Sequence, residues 1–329
     1  MSKIYEYKSG LARQIHAFLE EKRALGCKYE KEATIFREMD RVMVEQGVVT
    51  PELPRYAVEK WVEKRPNEKR KNQKYRLNFT KRFAAYLQLK GYPAYYPDYS
   101  ISARDDNDFT PYIFSNEELS KIMHYFESMA PSNQYPKGHI VWPMLFKTLI
   151  CCGLRAGEAA GLRVKDVDLE NGVLLIREAK HSKTRQVPLS SSLWADYIIY
   201  SREIHELSHA EDFFFPNARG NPHHTTTIYK YFRDALWHSG IPHRGRGYGP
   251  RVHDLRHTFS VRCMQKIGKS KGDIVSALPY LSAYLGHYNM NHTQVYLRLI
   301  AENYPELIRK QRDYLGDTIP TWEVPHEDK

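Results

Sequence analysis

Apolar residues recur at helical spacing through most of the chain's first third. Leu11, Ile15, Phe18, Leu19 and Leu25 predict a helix over 8–25, and Gly26 follows as the left-handed residue that ends it. The same periodicity predicts helices over 30–45, 53–64 and 73–90, the last stopping at Gly91. Residues 1–91 therefore read as a helical bundle, with Tyr75, Phe79 and Phe83 on the packed face of its last helix. The pattern then breaks. Residues 92–112, YPAYYPDYSISARDDNDFTPY, hold three prolines and several Asp, Ser and Asn residues without an apolar period, as an interdomain linker does.

A capping box, Ser115 with Glu118, opens a second domain over 113–329. Helical patterns at 115–129 and 140–152 lead into three short strand-like pieces, Val164–Val167, Val173–Arg177 and Arg185–Leu189. Asn171-Gly172 joins the first two as a hairpin. Helical patterns return at 191–207, 225–238, 254–267, 272–285, 291–300 and 303–314. The fold class that follows is mostly α with a small antiparallel β-sheet (α+β), in two domains.

Charge changes this picture. The chain has 329 residues and a formal net charge of +10, but residues 1–100 hold 21 Lys/Arg against 13 Asp/Glu. Residues 60–82 alone hold ten basic residues against two acids, Glu63 and Glu68. Such a run suits a phosphate-backbone binder, and a solvated helix face is its alternative. Lys64, Arg65, Lys69, Arg70, Lys71, Lys74, Arg76, Lys81 and Arg82 are its candidate DNA contacts. The Gly-rich loop His243–Arg251 adds Arg244 and Arg246, unless it is only a mobile surface loop.

The four cysteines form neither a C-x-x-C pair nor a disulfide framework, and Cys151 and Cys152 read as small core residues. The N-terminus lacks the apolar core of a signal peptide, and Lys147 interrupts the best candidate for a membrane span. A reducing, cytoplasmic setting is expected.

Six residues draw attention for chemistry: Arg155, Lys180, His253, Arg256, His287 and Tyr296. Taken singly, Arg155 reads equally as a surface ion pair, Lys180 as a hairpin-tip lysine and His253 as a helix cap. Their order and contexts say more. GLRAGEAAGL, the basic turn AKHSKTRQVPL, HDLRH, LGH and a tyrosine nine residues after that histidine resemble the tyrosine recombinase, or phage integrase, family. The helical first domain is similar to that family's core-binding domain. The resemblance implies a catalytic set of Arg155, Lys180, His253, Arg256 and His287 with Tyr296 as nucleophile. Lys180 is preferred to Lys183 as the first lysine of the K-x-x-K-x-R run. Glu158, one turn after Arg155, resembles the family's supporting acid, with a simple helix ion pair as its alternative.

These residue types suit phosphodiester cleavage without a metal. Two guanidiniums grip non-bridging oxygens in a fixed fork. A phenol with a pKa near 10 needs a base to become a nucleophile. The resemblance further implies a double-stranded DNA recombination site as partner and no cofactor. It implies a homotetramer in the synaptic complex, a monomer off DNA, and a prokaryotic, nucleoid-associated enzyme. Three rivals are weighed. A zinc hydrolase would use His253 and His257 with His223 or His224, but Asp254 stands where H-E-x-x-H has Glu. A non-cleaving DNA binder would not need the filled catalytic set. A type IB topoisomerase shares the chemistry but has a different first domain.

Overall fold

The computed structural model describes residues 5–27, 29–102, 111–177, 184–243, 245, 249–270 and 274–286. The chain divides into two compact units, Met1–Thr110 and Pro111–Lys329. The helices expected over 291–300 and 303–314 lie outside the described residues.

In the first unit α1 (Ala12–Ala24), α2 (Glu30–Glu45), α3 (Arg55–Val62) and α4 (Arg70–Leu89) close around one apolar core. Aromatic rings organise it. Phe36 meets Phe79 and Phe83 edge-on at 4.6 and 4.8 Å, and Phe18 meets Phe83 at 5.5 Å. Gly26 and Gly91 follow α1 and α4 at φ 82° and 80°, as the sequence predicts. The buried Asp40 carboxylate accepts the backbone N–H groups of Lys8 and Ser9 at 2.8 and 3.0 Å, fastening the chain ahead of α1. The stretch read as linker is partly built in: Leu53 N–H donates to the Pro93 carbonyl and Tyr95 N–H to that of Leu53.

The basic run divides by burial. Lys64, Lys69, Arg70, Lys71, Lys74 and Arg82 are exposed, and Lys81 is half-buried. Arg65 pairs with Glu38 at 2.8 Å. Arg76 departs from the expectation of a DNA contact. It is 5% exposed, pairs with Glu68 at 2.6 Å and donates to the carbonyls of Trp61 and Glu63. Burial opposes the Glu68 carboxylate, but its bonds to Arg76 and to the Arg65 backbone outweigh that and lower its pKa. Arg76 is thus an internal tie between the α3 end and α4. Arg76→Ala is expected to destabilise the protein by about 3–5 kcal/mol by leaving Glu68 buried and uncompensated. Its effect on the salt slope of DNA affinity should be nil. Lys71→Ala and Lys74→Ala should each reduce that slope by about 1 with stability unchanged. Urea unfolding and salt-titrated DNA retention separate the two patterns, and a reduced slope in Arg76→Ala would contradict the assignment.

The second unit begins with α5 (Asn116–Glu127), whose capping box is formed: Glu118 N–H donates to Ser115 Oγ at 3.1 Å, and Ser115 N–H to Glu118 at 2.8 Å. Then come α6 (Gly138–Cys152), α7 (Ala156–Ala160), β1 (Val167–Asp168), β2 (Val173–Arg177), β3 (Thr184–Pro188), α8 (Ser191–Ile204), α9 (Thr225–His238), α10 (Val252–Lys269) and α11 (Ile274–Leu285). The sheet is antiparallel in the order β1-β2-β3, with Leu174 opposite Val187 and Arg177 opposite Thr184. Mostly α with a small antiparallel sheet is the observed class.

The first predicted strand is largely a 3-10 turn, Val164–Asp166, and only Val167–Asp168 pairs. Tertiary bonds divert it: Val164 and Lys165 N–H donate to the carbonyls of Asp212 and Ala210, and Asp166 takes Arg177 Nε at 2.6 Å. Cys152 is buried as expected, whereas Cys151 is exposed, being on the outer side of α6.

Candidate active site

The site is built where α6 ends, α10 begins and α11 ends. Gly153 closes α6 at φ 60°, and a Cβ there would lie 2.4 Å from the Phe259 ring, so only glycine fits. Two residues on, Arg155 has extended backbone and forms the N-cap of α7. It therefore precedes the helix that the sequence reading placed it on. Glu158 holds it in two ways, accepting its backbone N–H at 2.9 Å and its Nη1 at 2.6 Å.

Glu158 is a hub. Arg185 Nη2 and Nη1 reach its two oxygens at 2.7 and 3.3 Å, and Arg256 Nη1 stands 3.8 Å away. The Glu158 side chain is 10% exposed. Burial works against its charge, but the Arg185 hydrogen bond and the nearby guanidiniums of Arg185 and Arg155 hold its carboxyl below the usual range. Arg256 is 1% exposed, and its Nη1 also donates to the Gly153 carbonyl at 3.0 Å.

The same three guanidiniums meet the end of α11. Arg185 Nε donates to the Tyr284 carbonyl at 2.8 Å, Arg256 Nη2 to that of Leu285, and Arg155 Nη2 to that of Gly286 at 3.0 Å. Three successive carbonyls at a helix C-terminus each receive one cation, the polarity that the helix dipole favours. Arg185 was not anticipated, although it is the arginine of the K-x-x-K-x-R run that locates Lys180.

His253 lies on the first turn of α10, one turn before Arg256. Asp254, in between, accepts the Arg251 N–H at 2.8 Å and its Nη2 at 3.0 Å, so the acid rather than His253 caps the helix. His253 is an exposed residue, with the buried Arg256 one turn further along α10. Desolvation and the charges of Arg256, Arg251 and Arg155 all disfavour the imidazolium, and its pKa falls to about 4. The three charges act in that direction whatever the share of burial. A cavity of about 400 Å³ opens beside it, lined by Ala156, Thr225, Tyr229, His243, Arg251 and Val252 among others.

The site thus brings together Arg155, Glu158, His253 and Arg256. Lys180, His287, Tyr296, Arg244 and Arg246 lie outside the described residues. His253 and His257 stand ring to ring at 4.8 Å, but among the described residues no three His, Cys, Asp or Glu side chains group as metal ligands. His223 is buried instead against Trp142 and Tyr135.

His223 also has its pKa lowered to about 4 by burial. Both folded values lie below the 6.5 of an ordinary histidine, so the unfolded chain takes up protons first as pH falls. Stability is therefore expected to drop as pH falls from about 6.5 to about 4, His223 contributing about 3 kcal/mol of the loss. Urea unfolding across that window should flatten in His223→Phe. An unchanged slope in that variant would show that His223 is not the sensitive group.

The phage integrase family model matches residues 113–303. That is more than half of the chain and includes every residue of the arginine–glutamate network. The chain belongs to the phage integrase family, whose members are tyrosine recombinases that cleave and rejoin DNA strands. It is 26% identical over 313 residues to integrase/recombinase y4rB of Sinorhizobium fredii, spanning 92% of this chain and 97% of that one. It is 25% identical over 272 residues to a tyrosine recombinase of Pseudothermotoga lettingae, spanning 82% of this chain and 86% of that one. Its fold is similar to that of the Tn1549 transposon integrase solved with transposon right end DNA, at a TM-score of 0.64 and 16% identity. That likeness covers 92% of this chain and 98% of the other. Among the described residues no helix is long and apolar enough to cross a membrane.

Proposed function

We propose that Arg155 and Arg256 grip the scissile phosphate of a DNA recombination site while Tyr296 attacks it. The observation that carries this is the convergence of both guanidiniums on Glu158 beside a histidine held neutral at the N-terminus of α10. Preset cations stabilise the charge that develops on the five-coordinate phosphorus without reorganising during the reaction. Neutral His253 is able to accept the Tyr296 proton. A bound phosphodiester adds negative charge beside the arginines, which raises the basicity of His253 when it is needed. Lys180 protonates the departing 5′ oxygen, and His287 hydrogen-bonds a phosphate oxygen. The product is a 3′-phosphotyrosyl bond and a free 5′ hydroxyl, and another 5′ hydroxyl reverses the step on a new strand. This sequence of steps needs neither metal nor ATP.

The first unit is the core-binding domain in this reading, with Lys64, Lys69, Arg70, Lys71, Lys74 and Arg82 along the DNA backbone and Arg244 and Arg246 adding contacts from the second. Residues 92–112 are the linker between the two in this reading. Four protomers assemble on two sites to exchange four strands and separate to monomers off DNA, in the nucleoid of a prokaryotic cytoplasm. The role is integration or excision of a mobile element, or resolution.

The test is covalent capture. Wild type and Tyr296→Phe are incubated, with chelator present, with a nicked duplex pool of random sequence, and adducts are resolved on denaturing gels. An adduct from wild type and none from the variant supports the reading, and the captured sequences identify the site. Adducts that persist in Tyr296→Phe would move the nucleophile elsewhere. Binding without any adduct would favour a non-cleaving protein.

A further inference from the structure

We infer that Arg185 is a positioning residue for strand cleavage, setting the end of α11 against Arg155 and Arg256. This rests on the proposed catalytic roles of those two arginines. Arg185 stands on β3 opposite Ile176, directly after the connection that carries Lys180. Its side chain is 10% exposed. One edge of its guanidinium takes both oxygens of Glu158, at 2.7 and 3.3 Å, and its Nε takes the Tyr284 carbonyl at 2.8 Å.

That placement links three separate stretches of chain. Glu158 is the carboxylate that orients Arg155, through both its backbone and its side chain. Tyr284 is the first of the three carbonyls shared among the arginines, and the next two belong to Arg256 and Arg155. A shift of the α11 end therefore changes what all three guanidiniums can reach. Pinning Tyr284 to the Glu158 hub fixes that register. The chain runs from there into His287, so the same bond sets the point from which the segment bearing His287 and Tyr296 departs.

The geometry requires arginine. A guanidinium is a planar fork that can meet a two-oxygen carboxylate on one side and a carbonyl on another at fixed angles. A lysine ammonium supplies the charge but cannot hold both partners in that plane. Misplacement of reacting groups by about 1 Å is enough to cost about 10²-fold in rate.

The experiment compares wild type, Arg185→Lys and Arg185→Ala in the full chain, using the duplex recovered by covalent capture as probe. Both variants are expected to retain that duplex at near wild-type affinity and to form the tyrosyl adduct about 10²-fold more slowly. Hydrogen exchange supplies a second readout. Peptides covering 280–286 should exchange at least about tenfold faster in Arg185→Lys, while those from the middle of α10 keep their wild-type rate. Arg185→Lys cleaving within about threefold of wild type would overturn the assignment, since charge alone would then suffice. So would a parallel loss of melting temperature, DNA retention and rate, which would mark a purely structural residue. If wild type forms no adduct, the reading of Tyr296 falls by itself, and unchanged exchange over 280–286 would separately overturn the role of Arg185.

Discussion

Arg256→Lys is expected to slow adduct formation by about 10²–10³-fold while DNA retention stays near wild type. In the proposed reading, retention is set by many phosphate contacts on exposed lysines and arginines, whereas Arg256, 1% exposed, would contact the reacting phosphate alone among DNA groups. Its Nη1 and Nη2 are each directed by a carbonyl, of Gly153 and Leu285, and Glu158 stands 3.8 Å from it. Lysine retains the charge but loses the fork, so one of the two carbonyls loses its donor and the transition-state contact loses its fixed angle. Single-turnover adduct formation on the captured duplex measures the effect. A rate within tenfold of wild type would mean that Arg256 is structural and that the phosphate is held elsewhere.

Glu158→Ala should have the larger effect on folding. It removes the anion shared by Arg155, Arg185 and Arg256, and two of these side chains are almost fully buried. Breaking a buried ion pair by deleting one partner costs about 3–5 kcal/mol, because the remaining charge is left uncompensated. The loss should be near that range in urea unfolding at neutral pH. Glu158→Gln, which keeps the shape and one acceptor oxygen, should lose less. Wild type has its own acid dependence here: the depressed Glu158 pKa contributes stability above the ordinary carboxylate value of 4.5 that is lost as pH falls below it. That window lies below most of the histidine one, and Glu158→Gln should abolish it. Equal stability of Glu158→Ala and wild type would mean that solvent screens the three guanidiniums and that the hub contributes little.

Much of the site was legible because its parts are local. Arg155 with Glu158 and His253 with Arg256 are each three residues apart, within reach of one helical turn. Arg185 was not legible, because its partners Glu158 and Tyr284 lie 27 and 99 residues away. Arg76 misled for a related reason. In a basic run it looks like its neighbours, and only the fold of α4 turns it inward to Glu68 while Lys71 and Lys74 stay outside. The strand expected at 164–167 gave way to a turn because its backbone donors found carbonyls more than forty residues away.

Helical periodicity, glycine stops, the capping box at Ser115 and the order of short motifs determined most of the described helices, the class and the family from sequence alone. Each of these depends on residues a few positions apart, whose interaction follows from local geometry. The tertiary structure alone decided which cations are buried, that three of them share Glu158, and that the charges around His253 lower its pKa. Pairing and pKa depend on distance and desolvation between groups far apart along the chain, and only the packed fold sets those quantities.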